Sequence, residues 1–246
     1  MQAKTLTILH TNDFHGQLDR AKSEFLSVLR ASADLYFDSG DCVKTGNLGI
    51  PLQPEPVWPL LESLHCDASV PGNRESHLIE SAFRAKLNGA AHPILCANMR
   101  QRDGSRVLPE SLILNPKGVR VGVFGVMVPM VTAKMASSFA SAYLWDQPIS
   151  AARAIVSGLA SECDLLIALT HIGLSQDRLL AEACPEIDLI LGGHSHNVLT
   201  EPVAIGKTSI CQTGSHGRFV GRYVWDFENH KLQSYELIAI KSEQTT

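Results

Sequence analysis

Short apolar runs in this chain keep ending on the same chemistry. The run 6–12 leads into Asp13, with His15 two residues on. The run 35–37 stops at Asp38-Ser39-Gly40-Asp41, and 68–70 stops at Pro71-Gly72-Asn73. The run 164–170 ends at His171, and 187–191 leads into Gly192-Gly193-His194-Ser195-His196. Runs this short, closed by Gly, Asn or Asp, read as strands. Helical spacing lies between several of them: Phe25, Leu26 and Leu29; Leu78, Ile79, Ala82, Phe83 and Leu87; and 149–161. Strands alternating with helices predict an α/β chain. In such sheets, ligands bind outside the carboxyl ends of the strands. Five strand ends would then bring Asp13, His15, Asp41, Asn73, His171, His194 and His196 to one edge.

The spacing within this set adds detail. Asp13-x-His15 and His194-x-His196 are i, i+2 pairs, which in extended chain project to the same side. Two such pairs facing each other can enclose metal ions. Gly16, Gly40, Gly72, Gly192 and Gly193 beside them allow sharp turns and close backbone approach.

The remaining pattern is mixed. The stretch 93–98 reads as a strand, and so does 209–212. Two hairpins are predicted, 111–115 with 119–128 around Asn115-Pro116-Lys117-Gly118, and 219–227 with 232–240 around 228–231. The Gly- and Pro-rich stretch 46–59 reads as a surface loop, with apolar periodicity resuming at 57–64. Hairpins added to the alternation predict more than one sheet. No repeat, low-complexity tract or domain boundary interrupts the chain, so residues 1–246 are expected to form a single domain.

Composition excludes several classes. With 45% apolar residues, 19% charged and a net charge of −4, the chain is neither disordered nor basic enough for general nucleic-acid binding. The longest apolar run, 121–131, is broken by Gly122, Gly125 and Pro129. A membrane-spanning helix needs about 20 apolar residues, so no membrane partner is expected. Six scattered cysteines without a C-x-x-C pair predict buried free thiols and a cytoplasmic protein. A signal peptide already trimmed away would leave the same appearance.

Taken as an ordered set, Thr11-Asn12-Asp13-Phe14-His15-Gly16, Ser39-Gly40-Asp41, Gly72-Asn73-Arg74-Glu75, Thr170-His171 and Gly193-His194-Ser195-His196 resemble the calcineurin-like metallophosphoesterase superfamily. The opening run, and Gln212-Thr213-Gly214-Ser215-His216-Gly217-Arg218, resemble its 5′-nucleotidase branch, in the N-terminal catalytic domain only. The resemblance implies a four-layer sandwich, two mixed β-sheets flanked by helices. It also implies two divalent transition-metal ions. One would be held by Asp13, His15 and His196, the other by Asn73, His171 and His194, with Asp41 bridging. Mixed imidazole and carboxylate ligands suit Mn, Fe, Zn, Co or Ni better than Mg or Ca. A hydroxide bridging the metals would attack phosphorus in line and hydrolyse small phosphate esters. Two ions, two aspartates and a hydroxide sum to a site of charge +1, attractive to a small phosphorylated substrate.

The sequence departs from that family at two places. The family's third motif is usually Gly-Asn-His-Glu, whose His stabilises the transition state or protonates the leaving group; here Arg74 stands in that place. In the nucleotidase branch an Asp three residues later orients that His; here it is His77. Arg cannot act as a general acid at ordinary pH, but it binds a phosphoryl group bidentately. The expectation is that Arg74, with Asn73 and His216, contacts substrate, while Asp41, Arg74 and His77 carry catalysis. His77 would supply the proton if a helix beginning here places it one turn from Arg74. The bland alternative makes Arg74 a surface ion-pair partner of Glu75 or Glu80. The nucleotidases' additional nucleoside-binding domain is not expected in this chain, so nucleotide selectivity is not implied. Two other readings stay open: a phosphodiesterase or cyclic-nucleotide hydrolase, and a weakly catalytic metal-binding scaffold. Cys42 is expected to be a packed thiol, and Trp58 a core residue.

Overall fold

The computed structural model describes residues 4–240; the outermost residues of the expected 1–246 domain lie outside the described part. Strands β1 (Thr5–Thr11), β2 (Leu35–Asp38) and β3 (Ala68–Ser69) alternate with helices α1 (Arg20–Arg30), α2 (Val57–Ser63) and α3 (Glu80–Leu87). The middle of the chain adds β4 (Met99–Gln101), β5 (Ser111–Leu114), β6 (Val121–Met127) and β7 (Tyr143–Trp145). There follow α4 (Pro148–Glu162), β8 (Leu165–His171), α5 (Leu174–Ala183), β9 (Leu189–Gly192), β10 (Val203–Ile205), β11 (Thr208–Cys211), β12 (Phe219–Asp226) and β13 (Lys231–Ala239).

Two mixed sheets result, in the orders β13-β12-β1-β2-β3 and β10-β11-β9-β8-β6-β5. In the first, β1, β2 and β3 run parallel; in the second, β6, β8, β9 and β11 do. Period-two alternation sorts each strand between two neighbours. Leu165, Ile167 and Leu169 of β8 join Leu6, Ile8, Leu35 and Phe37 in the core between the sheets. The intervening Leu166 and Ala168 face outward, onto Ala152 and Val156 of α4 and Leu180 of α5. On the other side, Leu9 and Tyr36 pack against Leu26, Val57, Trp58 and Leu61 of α1 and α2. The four layers are thus helix, sheet, sheet, helix, as the family resemblance implies. Trp58 lies in the core, and Cys42 is a buried thiol.

Local chemistry accounts for several boundaries. Asp19 caps α1 by accepting the Lys22 N–H at 2.8 Å. The predicted hairpin of β5 and β6 turns through Pro116–Gly118, with Lys117 at φ 51. The second hairpin pairs β12 with β13.

One expectation needs correction, and two elements lacked a readable signal. Residues 93–98 do not form a strand. Leu95, Cys96 and Ala97 are buried, but their N–H groups go to Ser69, Pro109 and Gly125 respectively, three different segments. The apolar run crosses between layers and never enters a continuous ladder. Conversely, α5 carries no clean apolar stripe, because buried Asp177 occupies its inner face beside Leu180 and Ala181. The short β4–β7 sheet, three residues per strand, carries too few residues to show a period.

Candidate metal centre

The parallel strands of both sheets end toward one edge of the sandwich, and the predicted residues follow those ends. Asp13 and His15 follow β1, Asp41 follows β2, and Asn73 follows β3. His171 is the last residue of β8, and His194 and His196 follow β9. The i, i+2 pairs do not converge by strand alternation, since β1 and β9 have already ended. Instead Asp13, His15, Asp41, His194 and His196 all adopt left-handed backbone, with φ between 50 and 75. Such conformations are costly for residues with a Cβ and cluster at functional sites.

Two groups of ligand atoms meet here. Asp13 Oδ1 faces His196 Nε2 at 3.2 Å and His15 Nε2 at 3.5 Å, and the two imidazole nitrogens stand 2.9 Å apart. Asn73 Oδ1 lies 3.2 Å from His171 Nε2 and 3.0 Å from His194 Nδ1. Asp41 lies between the groups, with Oδ1 3.5 Å from His171 Nε2 and Oδ2 3.9 Å from His15 Nδ1. Asp13, Asp41 and His171 also form a cluster of their own, so both aspartates stand near both groups.

The donor set fits divalent transition metals. Buried polar atoms normally find hydrogen-bond partners, yet Asp13 Oδ1 and His15 Nδ1 are buried without one among the described residues. His171 shows a tautomer suited to ligation. Its Nδ1 lies 2.7 Å from the Ser39 carbonyl, which can only accept, so Nδ1 carries the proton and the Nε2 lone pair faces Asn73 and Asp41. Backbone is kept out of the way as well. A Cβ on Gly72 would run into Asp41 Oδ1, and one on Gly193 would crowd Ser39 O at 2.8 Å and Asp13 Oδ2 at 3.0 Å.

The electrostatics point the same way. Burial works to raise the Asp13 pKa, but His15 and His196 outweigh it and hold the carboxyl well below its usual range. Burial likewise opposes ionisation of Asp41, and His171 overrides it. Burial alone would lower the His171 pKa, whereas Asp41 pushes it up to about 10. The two aspartates thus make the pocket favourable to positive charge.

The supporting residues were not foreseen. Glu75 is buried; its Oε2 accepts the N–H groups of Gly72 at 2.7 Å and Asp41 at 2.8 Å, and its Oε1 accepts those of Val43 at 3.0 Å and the Cys42 thiol at 3.3 Å. It shapes the Asp41 loop and makes no ion pair with Arg74. Glu80 pairs instead with Arg84. The bland alternative for Arg74 is therefore set aside. Asn12 Nδ2 donates to Asp13 Oδ2 at 2.7 Å, and the His194 N–H reaches the same oxygen at 2.9 Å. The acidic fourth residue of Gly72-Asn73-Arg74-Glu75 was the available signal for Glu75, and the place of Asn12 directly before Asp13 in the opening run was the signal for Asn12.

Arg74 starts beside the centre. Its N–H donates to Asp41 Oδ1 at 2.7 Å, and its Nη1 reaches the Lys44 carbonyl at 3.2 Å. His216 stands at the rim, its ring 5.0 Å from that of His15, and its N–H donates to the Asp13 carbonyl at 2.7 Å. The helix expected to place His77 one turn from Arg74 does not begin there, because α3 starts at Glu80. His77 is buried, and its Nδ1 accepts the Ile79 N–H at 2.9 Å, leaving the ring proton on Nε2. The described residues contain no helix long and apolar enough to cross a membrane.

Several known proteins resemble this chain over most of its length. The chain is 29% identical over 290 aligned positions to a 5′-nucleotidase of Vibrio cholerae, covering 96% of this chain and 51% of that one. It is 25% identical over 236 positions to the metallophosphoesterase YunD of Bacillus subtilis, covering 88% and 49%. A solved 5′-nucleotidase precursor from Thermus thermophilus shares the fold at a TM-score of 0.73, with 20% identity, covering 96% of this chain and 54% of that one. The chain spans about half the length of the curated relatives it matches. The calcineurin-like phosphoesterase profile matches residues 6–198, and the chain belongs to that family.

Proposed function

We propose that this chain is a dinuclear metal-dependent hydrolase of small phosphate monoesters. The observation that carries this reading is the pair of convergent ligand groups around Asp13 and Asp41, with buried polar atoms that find no hydrogen-bond partner among the described residues. Asp13, His15 and His196 would hold one ion, and Asn73, His171 and His194 the other. Asp41 is the proposed bridge, because each of its oxygens faces an imidazole of a different group. Bound divalent ions supply Lewis acidity and an activated water for phosphoryl transfer.

The chain's own groups do the rest. The Ser39 carbonyl holds the His171 tautomer, and Glu75 holds the Asp41 loop. Arg74 starts one hydrogen bond from Asp41, and its guanidinium is proposed to bind the phosphoryl oxygens. His216 at the rim is proposed to contact substrate, together with Asn73. His77 keeps a donor at Nε2, and the proposal makes it the proton source for poor leaving groups.

The test is metal content together with turnover. Protein loaded with Mn is expected to hold two ions per chain and to hydrolyse an aryl phosphate monoester faster than the matching diester. Preference for the diester would favour the phosphodiesterase reading. Two bound ions with no turnover of either ester would favour the scaffold.

A further inference from the structure

Asn73 poses an orientation problem. Its amide oxygen and nitrogen have nearly the same shape, so the side chain can turn either one inward. Only the oxygen can ligate a metal. The choice rests on what the nitrogen finds on the other side, and that partner is Asn47 Oδ1, 2.9 Å from Asn73 Nδ2.

Asn47 lies on the loop that follows Asp41, and an unusual group holds that loop in place. Lys86 of α3 is completely buried, which is rare for lysine. Its Nζ donates to the carbonyls of Gly46 at 2.8 Å, Asn47 at 3.2 Å and Arg74 at 2.5 Å. One ammonium thus spends all three protons joining the loop that carries Asn47 to the turn that carries Asn73 and Arg74. The carbonyls offset the desolvation that a buried cation otherwise suffers. Trp58 Nε1 donates to the Lys86 carbonyl at 2.8 Å and anchors the helix against α2. The loop's far side is closed by buried Glu55, which accepts the N–H groups of Lys44 and Thr45, both at 3.0 Å.

We propose that Lys86 and Asn47 are positioning residues that hold the Asn73 amide with its oxygen toward the His171–His194 metal position. Neither touches that position itself, and the proposal rests on the metal-centre reading above.

The experiment is calorimetric titration of the metal-free chain with Mn²⁺, alongside thermal unfolding of each variant. Wild type is expected to show two sites. Asn47→Ala should weaken one site by about 10–100-fold, the usual effect of losing an outer partner of a ligand, and leave the other unchanged. Asn47→Asp, which keeps the acceptor, should restore the weakened site. Lys86→Met should repeat the one-site loss; if it does not fold, the Asn47 pair decides. Unchanged affinities in Asn47→Ala, equal weakening of both sites, or no recovery in Asn47→Asp would overturn the proposal. Wild type that takes up fewer than two ions would overturn the metal centre itself, and this proposal with it.

Discussion

Replacing Glu75 with Gln tests how the centre is held together. The carboxylate is buried and accepts four donors, two on each oxygen. Gln must place an NH₂ where one oxygen stood. With the nitrogen on the Oε2 side, the Asp41 and Gly72 N–H groups both face a donor. With it on the Oε1 side, Val43 does. The second orientation is the milder one. It orphans one buried N–H, at about 1–3 kcal/mol, and removes the charge that roughly doubles the strength of the remaining bonds. About 3 kcal/mol is the expected total, a large part of a stability of about 5–15 kcal/mol. For a chain of 246 residues, at about 2.1 cal/mol/K of unfolding entropy per residue, each kcal/mol lowers Tm by about 2 °C. Glu75→Gln should therefore melt about 6 °C below wild type. The comparison is made by calorimetry in the presence of a chelator, because metal binding would otherwise stabilise both proteins by mass action. Since Asp41 rides on this loop, Mn²⁺ affinity should fall as well. A Tm within about 1 °C of wild type, with unchanged Mn²⁺ affinity, would refute the reasoning.

Asp41→Asn should lose one of two bound ions by elemental analysis and most of its turnover, since the amide offers only one ligating oxygen; two ions and full activity would count against a bridge. Arg74→Ala should slow every monoester by about 10²–10³-fold, the cost of losing one transition-state donor, with little change in Tm. His77→Ala should spare p-nitrophenyl phosphate and slow an alkyl phosphate by about 10²-fold; equal effects on both would assign proton donation elsewhere. Buried Asp177 gives a signed pH dependence. Burial raises its pKa from 3.8 to about 7, so the folded chain binds a proton that the unfolded chain releases between those values. That contribution is fully present below about pH 4 and is lost as pH rises through 7. Tm of Asp177→Asn, measured from pH 5 to 9, should fall less than that of wild type; parallel curves would remove Asp177 as the cause.

Much of the frame was legible because its signals are local. Alternation along runs such as 165–169 sets which side chains meet the other sheet and which meet a helix, and the structure sorts them as the pattern requires. Glycines beside Asp13, Asp41, Asn73 and His194 marked sharp turns at strand ends, and the chain does turn there. The seven expected ligands come together because parallel strands in both sheets deliver their ends to one edge. Other features depended on partners distant in sequence. Residues 93–98 carry a strand's composition, but their N–H groups are claimed by three different segments. Asp177 broke the stripe of α5 because its partners, Thr170 and Gln212, lie on neighbouring strands or just beyond them. His77 could be placed one turn from Arg74 only if a helix began there, and the backbone waits until Glu80. Ser39, Asn47, Glu75 and Lys86 are ordinary residues in isolation. What they do is set by which carbonyls, amides and N–H groups the folded chain brings within hydrogen-bond reach. Residue type and spacing thus determined which atoms were available as ligands, while tertiary packing alone decided which way each one points, because orientation comes from hydrogen bonds between segments far apart in the chain.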